Sequence, residues 1–435
     1  MDRRYLCSMK HSFLLTLVCL SFPFPDFGQK NHGYNILTSK ASLCHLQKKY
    51  KEAIALYKKA FALHSPDALN AYKAAGMYAL DSNREEAYRY LRVALDKGWT
   101  EADWLAADPY FNYLEHTDPS GWQVLRQEAY NKEHEYEMGL RRPGLRKKIN
   151  LLTLRDQQLR YLRIQGGSQT NADSLDEAIA LSDQHNHDEA QKIIQQYGWP
   201  KISDIGKDGA NNLWLIVQHS DNDILFQRQV LALMSGMRNS KDINLENYAY
   251  LYDRVQCGLN YRQRYGTQVV WSAGGTATGF RPIIHEDAVD KRRKELGLDS
   301  LQVYALMYGF CYSPVIESQA RKSESDDRNR VRKLMDSAIW YQRHKRYKEV
   351  YNAYNSASDI QGGMNNKDNY TAALQCAIIG GAINDQSFKD IAVDFLVLLY
   401  KRGAVGKDRL FGEKAFEVLR GDRRWGEIVG EVGRW

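Results

Sequence analysis

Cysteine is scarce in this 435-residue chain, with six in all. Beyond Cys7 and Cys19 near the start, the remaining Cys44, Cys257, Cys311 and Cys376 lie too far apart for a Cys-x-x-Cys metal knuckle or redox pair. They read as lone buried thiols rather than as a disulfide framework. Proline is also rare, at nine residues, which leaves long stretches free to be helical. No apolar run is long enough to cross a bilayer. Gly206, Gly209, Gly274 and Gly275 fit neither a GxxxxGK phosphate loop nor a dinucleotide fingerprint. The net charge of +7 is modest for the length. The basic runs Arg141–Lys148 and Arg321–Lys333 carry no interleaved aromatics, so they read as solvated linkers and no nucleic-acid partner is expected.

What is present is an ordinary globular composition, 43% apolar and 26% charged, with 28 tyrosines. Few prolines beside abundant Tyr, Ala, Leu, Lys and Glu predict a mainly α protein whose packing faces use tyrosine as an amphipathic filler. Arg3, Arg4 and Lys10 before the apolar run Phe13–Phe22, then Pro23, Pro25 and Gly28, predict a secretory leader over residues 1–29. Met9 is an alternative start, and Thr16-Leu17-Val18 before Cys19 makes a poor lipobox. The expectation is therefore a periplasmic or secreted product with no membrane span.

Residues 35–130 carry a 34-residue period. Ala53 and Ala60 recur as Ala87 and Ala94, with Tyr57 and Leu91 between them and Ala74, Ala75 and Tyr78 on the preceding helix. Small residues that let helices approach, alternating with large fillers, resemble tetratricopeptide repeats. A shorter hairpin follows, with starts marked by Asp108-Pro109 and Asp118-Pro119. Its Trp104, Phe111 and Trp122 read as core rather than as a ligand site. The pattern returns over 334–432, where Tyr347-Lys348-Glu349-Val350, Tyr354 and Ala357 mirror Tyr50-Lys51-Glu52-Ala53, Tyr57 and Ala60. Residues 316–333 between this unit and the centre read as a charged linker.

The centre, 146–315, is different. Leu151, Leu152, Leu154, Leu159 and Leu162 predict a helix with Arg155-Asp156-Gln157-Gln158 on its polar side. A second helix runs to Tyr197, then a turn over Ile202–Gly209, and helices from Leu213 and over Tyr248–Val255. Val269–Trp271 and Phe280–Ile284 predict a small β-hairpin, and Glu286–Leu296 a charged helix. Gly198-Trp199-Pro200, Gln218-His219-Ser220-Asp221-Asn222-Asp223 followed by Phe226-Gln227, Ala249–Val255, Arg264–Gln268 and His285–Leu298 occur in an order that resembles a bacterial family of uncharacterised domains often found in exported proteins. The resemblance covers roughly 150–310 and implies no activity.

Two functions follow as expectations. The first is an envelope protein that binds a protein or peptide through its helical repeats. The alternative is a hydrolase of an envelope peptide or glycan. In it, His219 and Asp253 form the acid–base pair, and Gln218, Asp221, Gln227, Arg254, Gln263, Tyr265 and Gln268 bind substrate. The same residues also admit a structural reading, with Gln218 and His219 finishing a helix end and Asp253-Arg254 forming an ion pair. A metal at His219, Asp221 and Asp223 is disfavoured because residues 219 and 221 point to different faces of a helix. No metal or cofactor is expected.

Overall fold

A computed structural model describes residues 32–165 and 169–430. The leader expected over 1–29 and the helix end expected at Gly166–Ser168 lie outside the described residues. The protein is mainly α, with one two-stranded antiparallel sheet among the described residues. It divides into two compact units. One holds the described residues through Tyr252 with Val269–Phe280 and Val289–Pro314; the other holds Asp253–Gln268, Arg281–Ala288 and the described residues from Val315.

In the first unit, helices α1 (His32–Leu46) and α2 (Tyr50–Leu63) pack as one hairpin, and α3 (Ala68–Leu80) and α4 (Arg84–Asp96) as the next. Ala53, Ala60, Ala87 and Ala94 are all buried where the paired helices meet, with Tyr57 and Leu91 filling the core. Asp67 and Asn83 start α3 and α4 by accepting from the Asn70 and Glu86 N–H groups. α5 (Ala102–Ala107), a 3-10 turn at Pro109–Phe111, α6 (Asn112–Thr117) and α7 (Pro119–Glu137) follow. Asp108 and Asp118 cap the two proline-led starts. Phe111 and Trp122 are core residues, whereas Trp104 is only half-buried.

Three long helices then pack on one another: α8 (Pro143–Gln165), α9 (Gln169–Tyr197) and α10 (Ile202–His219). Ile202–Gly209, expected as a turn, is the first part of α10. The glycine signal marks a break inside the helix, where Gly206 takes a φ of +76°. A Cβ there would also meet the Tyr136 hydroxyl at 2.6 Å, so glycine is required twice over. α11 (Ile224–Gly236) follows, and α12 (Leu245–Gly258) begins in this unit. Strands β1 (Val269–Trp271) and β2 (Ala277–Phe280) pair Val269 with Phe280. The second strand lies earlier than the expected Phe280–Ile284. α13 (Val289–Glu295) and α14 (Leu301–Met307) complete the unit, with Phe280 stacked on Tyr304.

The basic run Arg141–Lys148 is not a solvated linker. Arg146 is fully buried and Arg142 lies 4.4 Å from the centre of the Tyr197 ring. In the second unit, the stretch read as a charged linker belongs to one long helix, α15 (Glu317–Arg343). Its charges alternate at i, i+4 spacing: Arg321 pairs with Glu317, and Lys322 with Asp326 at 2.5 Å. Such pairs support a helix that has little apolar surface. α16 (Tyr347–Ser358), α17 (Asn366–Ala382), α18 (Gln386–Lys401), α19 (Lys407–Gly412) and α20 (Arg423–Gly430) gather around a core that includes Val350, Tyr354, Ala357, Phe416 and Trp425. The four cysteines of the described residues are unpaired; Cys376 is buried and Cys311 exposed.

Candidate functional site: a buried polar cluster beside a cavity

The buried stripe of α8 runs through Ile149, Leu152 and Thr153 at helical spacing. It then continues through Asp156, Gln157 and Arg160, each at most 4% exposed. Charged side chains in that position need partners. Arg160 supplies the first: its Nε donates to Asp156 Oδ1 and Oδ2 at 3.0 and 2.9 Å, and its Nη2 reaches Asp183 on α9. His219, the last residue of α10, places Nδ1 3.4 Å from Asp156 Oδ2. Gln157 Nε2 donates to the same oxygen at 2.7 Å.

The electrostatics of the two carboxyls diverge. Burial works to raise Asp156, but His219 and Arg160 outweigh it and hold the group well below the usual carboxylate range. For Asp183 burial prevails, and with Asp156 close by it outweighs Arg160, so this carboxyl is held well above that range. The cluster reaches solvent on one side, where the Asp183 and His219 side chains are 23% and 12% exposed.

A second histidine adjoins it. His187, one helical turn beyond Asp183 on α9, places Nδ1 3.1 Å from Ser220 Oγ and Nε2 3.4 Å from Asp223. The set has the residue types of a nucleophile triad, but Ser220 Oγ donates to the Ile216 carbonyl at 3.2 Å and is buried. Asp223 also accepts from the Phe226 N–H as the cap of α11. These contacts build a helix-to-helix corner, not an activated hydroxyl.

Next to the cluster, the hairpin helices and α8 line a half-open cavity of about 860 Å³. Tyr72, Trp104, Tyr110 and Tyr161 form its aromatic walls, with Met77, Leu154 and Leu159 between them and Lys73, Asn112 and Gln158 among its polar groups. Tyr72 donates its hydroxyl to Asp108 at 2.7 Å, and burial pushes that carboxyl up to about 6 despite this bond and one from the Tyr110 N–H. Gln157 belongs both to the cavity wall and to the cluster.

The residues singled out in the sequence fall into separate roles. His219 is in the cluster, with Asp156 rather than Asp253 as its carboxylate. Asp253 is fully buried and receives the N–H groups of Arg264, Tyr265 and Thr267 at 2.7–3.1 Å and the Thr267 hydroxyl at 3.1 Å. It therefore organises its own loop. Gln263, also fully buried, donates to the Gln268 and Arg281 carbonyls and accepts from the Gln268 N–H. Gln227 caps the end of α10 by donating to the Val217 carbonyl at 3.1 Å. Gln218 and Tyr265 are buried, Gln268 and Arg254 half-buried, and Asp221 is exposed. Asp156 and Gln157, expected on the polar side of their helix, are buried, and Arg160, Asp183 and His187 were not singled out. The available signal was an Asp–Arg pair at i, i+4 lying on the same stripe as Ile149 and Leu152.

No curated protein and no solved structure matches this chain. Residues 143–314, from the start of α8 to beyond α14, match a family of unknown function, DUF6624, so this helical protein carries a domain of that family.

Proposed function

We propose that the protein is a binding protein of the cell envelope that holds a short segment of a partner protein in the cavity of its first unit. The observation that carries this reading is the cavity itself. Its volume of about 860 Å³ lies within the range of roughly 300–1,000 Å³ usual for ligand sites. Tyrosine and tryptophan side chains provide large apolar contact at low entropic cost, and Lys73, Asn112 and Gln158 can bond to a peptide backbone. Short helical hairpins commonly present concave surfaces of this kind, which supports the tetratricopeptide-like reading of residues 35–130. The envelope location rests on the leader pattern of Arg3, Arg4, Lys10 and Phe13–Phe22. The hydrolytic alternative has less to support it, because the Asp253 oxygens are filled by its own loop.

Ala107 lines the cavity and is half-buried, so Ala107→Trp fills it without disturbing the core. Twelve-residue peptides selected from a random display library on the full chain are expected to bind with micromolar affinity. The Ala107→Trp chain should bind them about tenfold or more weakly while keeping its melting temperature. Failure to select any peptide, or undiminished binding to Ala107→Trp, would reject the proposal.

A further inference from the structure

The charges around the cavity are unequal. Lys73 on α3 and Arg155 on α8 line it, against one carboxylate, Asp108, among the described lining residues. That carboxylate is already engaged: the Tyr72 hydroxyl donates to Oδ2 at 2.7 Å and the Tyr110 N–H to Oδ1 at 3.0 Å. His45, edge-on to the Tyr110 ring at 5.0 Å between centres, is held down to about 4 by burial and by the charge of Lys73. The imidazole is therefore neutral at neutral pH, and the Lys73 charge is felt inside the cavity. On balance the wall is positive.

The cavity also has a direction. Its α8 wall runs from Leu154 to Leu162, roughly 12 Å of helix, and because the cavity is half-open a chain can lie along that wall. About four residues of extended chain cover the same length. Successive side chains of such a chain point to opposite sides. One set can turn down onto Tyr72, Trp104 and Tyr161, while the other meets the rim, where Arg155 is exposed and Lys73 half-buried.

We infer that the partner segment held in this cavity is acidic, with aspartate or glutamate side chains set against Lys73 and Arg155 and large apolar side chains against the aromatic walls. This rests on the reading of the cavity as a peptide site. Beside apolar, poorly hydrated walls a cation attracts an opposite charge more strongly than in open water. Hydrogen bonds between ionised partners are also the stronger kind. A segment carrying lysine or arginine would set its charge against Lys73 and Arg155, and the one carboxylate nearby already serves the Tyr72 hydroxyl and the Tyr110 N–H. Affinity for acidic segments and rejection of basic ones thus come from the same two side chains.

The test uses the twelve-residue peptides selected on the full chain, whose sequences should be rich in Asp or Glu beside large apolar residues. The tightest is synthesised as selected, with each Asp and Glu changed to Asn and Gln, with each changed to Lys, and with only its carboxyl terminus capped. The Asn/Gln form should bind about tenfold more weakly, added salt should weaken only the acidic form, and the capped form should bind as tightly as the original. Arg155 is exposed, so Arg155→Glu leaves the fold intact; it should erase the preference for the acidic form and let the Lys form bind. Lys73→Gln should weaken the acidic form by a similar factor without changing the Asn/Gln form, and Arg155→Glu decides alone if that chain does not fold. Acidic and Asn/Gln forms that bind equally, while Ala107→Trp still weakens both, would overturn this inference and leave the peptide site standing. Loss of binding on capping the carboxyl terminus alone would do the same. Failure to select any peptide would overturn both.

Discussion

Two arginines on α8, Arg146 and Arg160, stand fourteen residues apart, close to four helical turns, and therefore face the same way. Each gathers carboxylates from neighbouring helices. Arg146 is fully buried and bonds Glu133 and Glu137 from α7, Asp208 from α10 and the Thr100 carbonyl. Glu101 and Asn212 bond beside it at 3.0 Å. That end ties the hairpin helices to α8 and α10. Arg160 holds Asp156 and Asp183, but its neighbours include an imidazole and a glutamine, and its cluster opens to solvent at Asp183 and His219. A buried ion pair is therefore not one kind of object. The Arg146 set is sealed and joins segments, whereas the Arg160 set keeps an edge in contact with solvent.

Substitutions at the two ends should separate these roles. The largest effect is expected for Arg146→Leu. It strands three carboxylates and should cost about 3–5 kcal/mol in urea unfolding. Arg160→Leu should cost less, about 1–3 kcal/mol in the same measurement, because Asp183 and His219 can rehydrate through their exposed edges and the buried Asp156 keeps Gln157 and His219 as partners. Equal losses would erase the distinction.

A smaller, pH-dependent effect belongs to Glu101. Burial, reinforced by Asp208, pushes its carboxyl up to about 8. A carboxyl raised in the folded state is protonated there over a range in which the unfolded chain has already ionised. Its contribution to stability is therefore complete below about pH 4 and is lost as the pH rises through about 8. Glu101→Gln keeps the shape without the titration. Melting temperatures from about pH 5 to 9 should fall less steeply for the variant than for the native chain, and parallel curves would contradict the assignment.

Much of the fold is legible in the sequence because its signals are local. The small residues Ala53, Ala60, Ala87 and Ala94, the caps Asp67, Asn83, Asp108 and Asp118, and the scarcity of proline all act within one or two helical turns. Where charge patterns and apolar patterns conflict, the reading fails. Residues 317–333 are polar enough to pass for a linker, yet their i, i+4 pairs support a helix. Arg146 sits in a run of cations that looks solvated, yet its partners lie on α7 and α10. The candidate site was legible only through His219. A histidine in a compact polar stretch draws attention to its sequence neighbours, whereas its carboxylates stand 63 and 36 positions earlier, at Asp156 and Asp183. Only the mutual packing of three helices brings those positions together. Asp253 shows the converse: a carboxylate among polar motifs reads as a partner for His219, but the donors that fill its oxygens are mostly backbone N–H groups, which the identities of the residues do not reveal.

The comparison is tested most directly by one paired unfolding measurement, of Asp208→Asn and Asp183→Asn against the native chain in chelator-treated buffer. Asp208, beside the sealed Arg146, should cost about 2–3 kcal/mol. Asp183, beside Arg160, should change stability by less than about 1 kcal/mol, since burial already raises this carboxyl and an amide keeps its shape at a partly exposed edge. Equal losses at the two positions, or a larger loss at Asp183, would contradict the account.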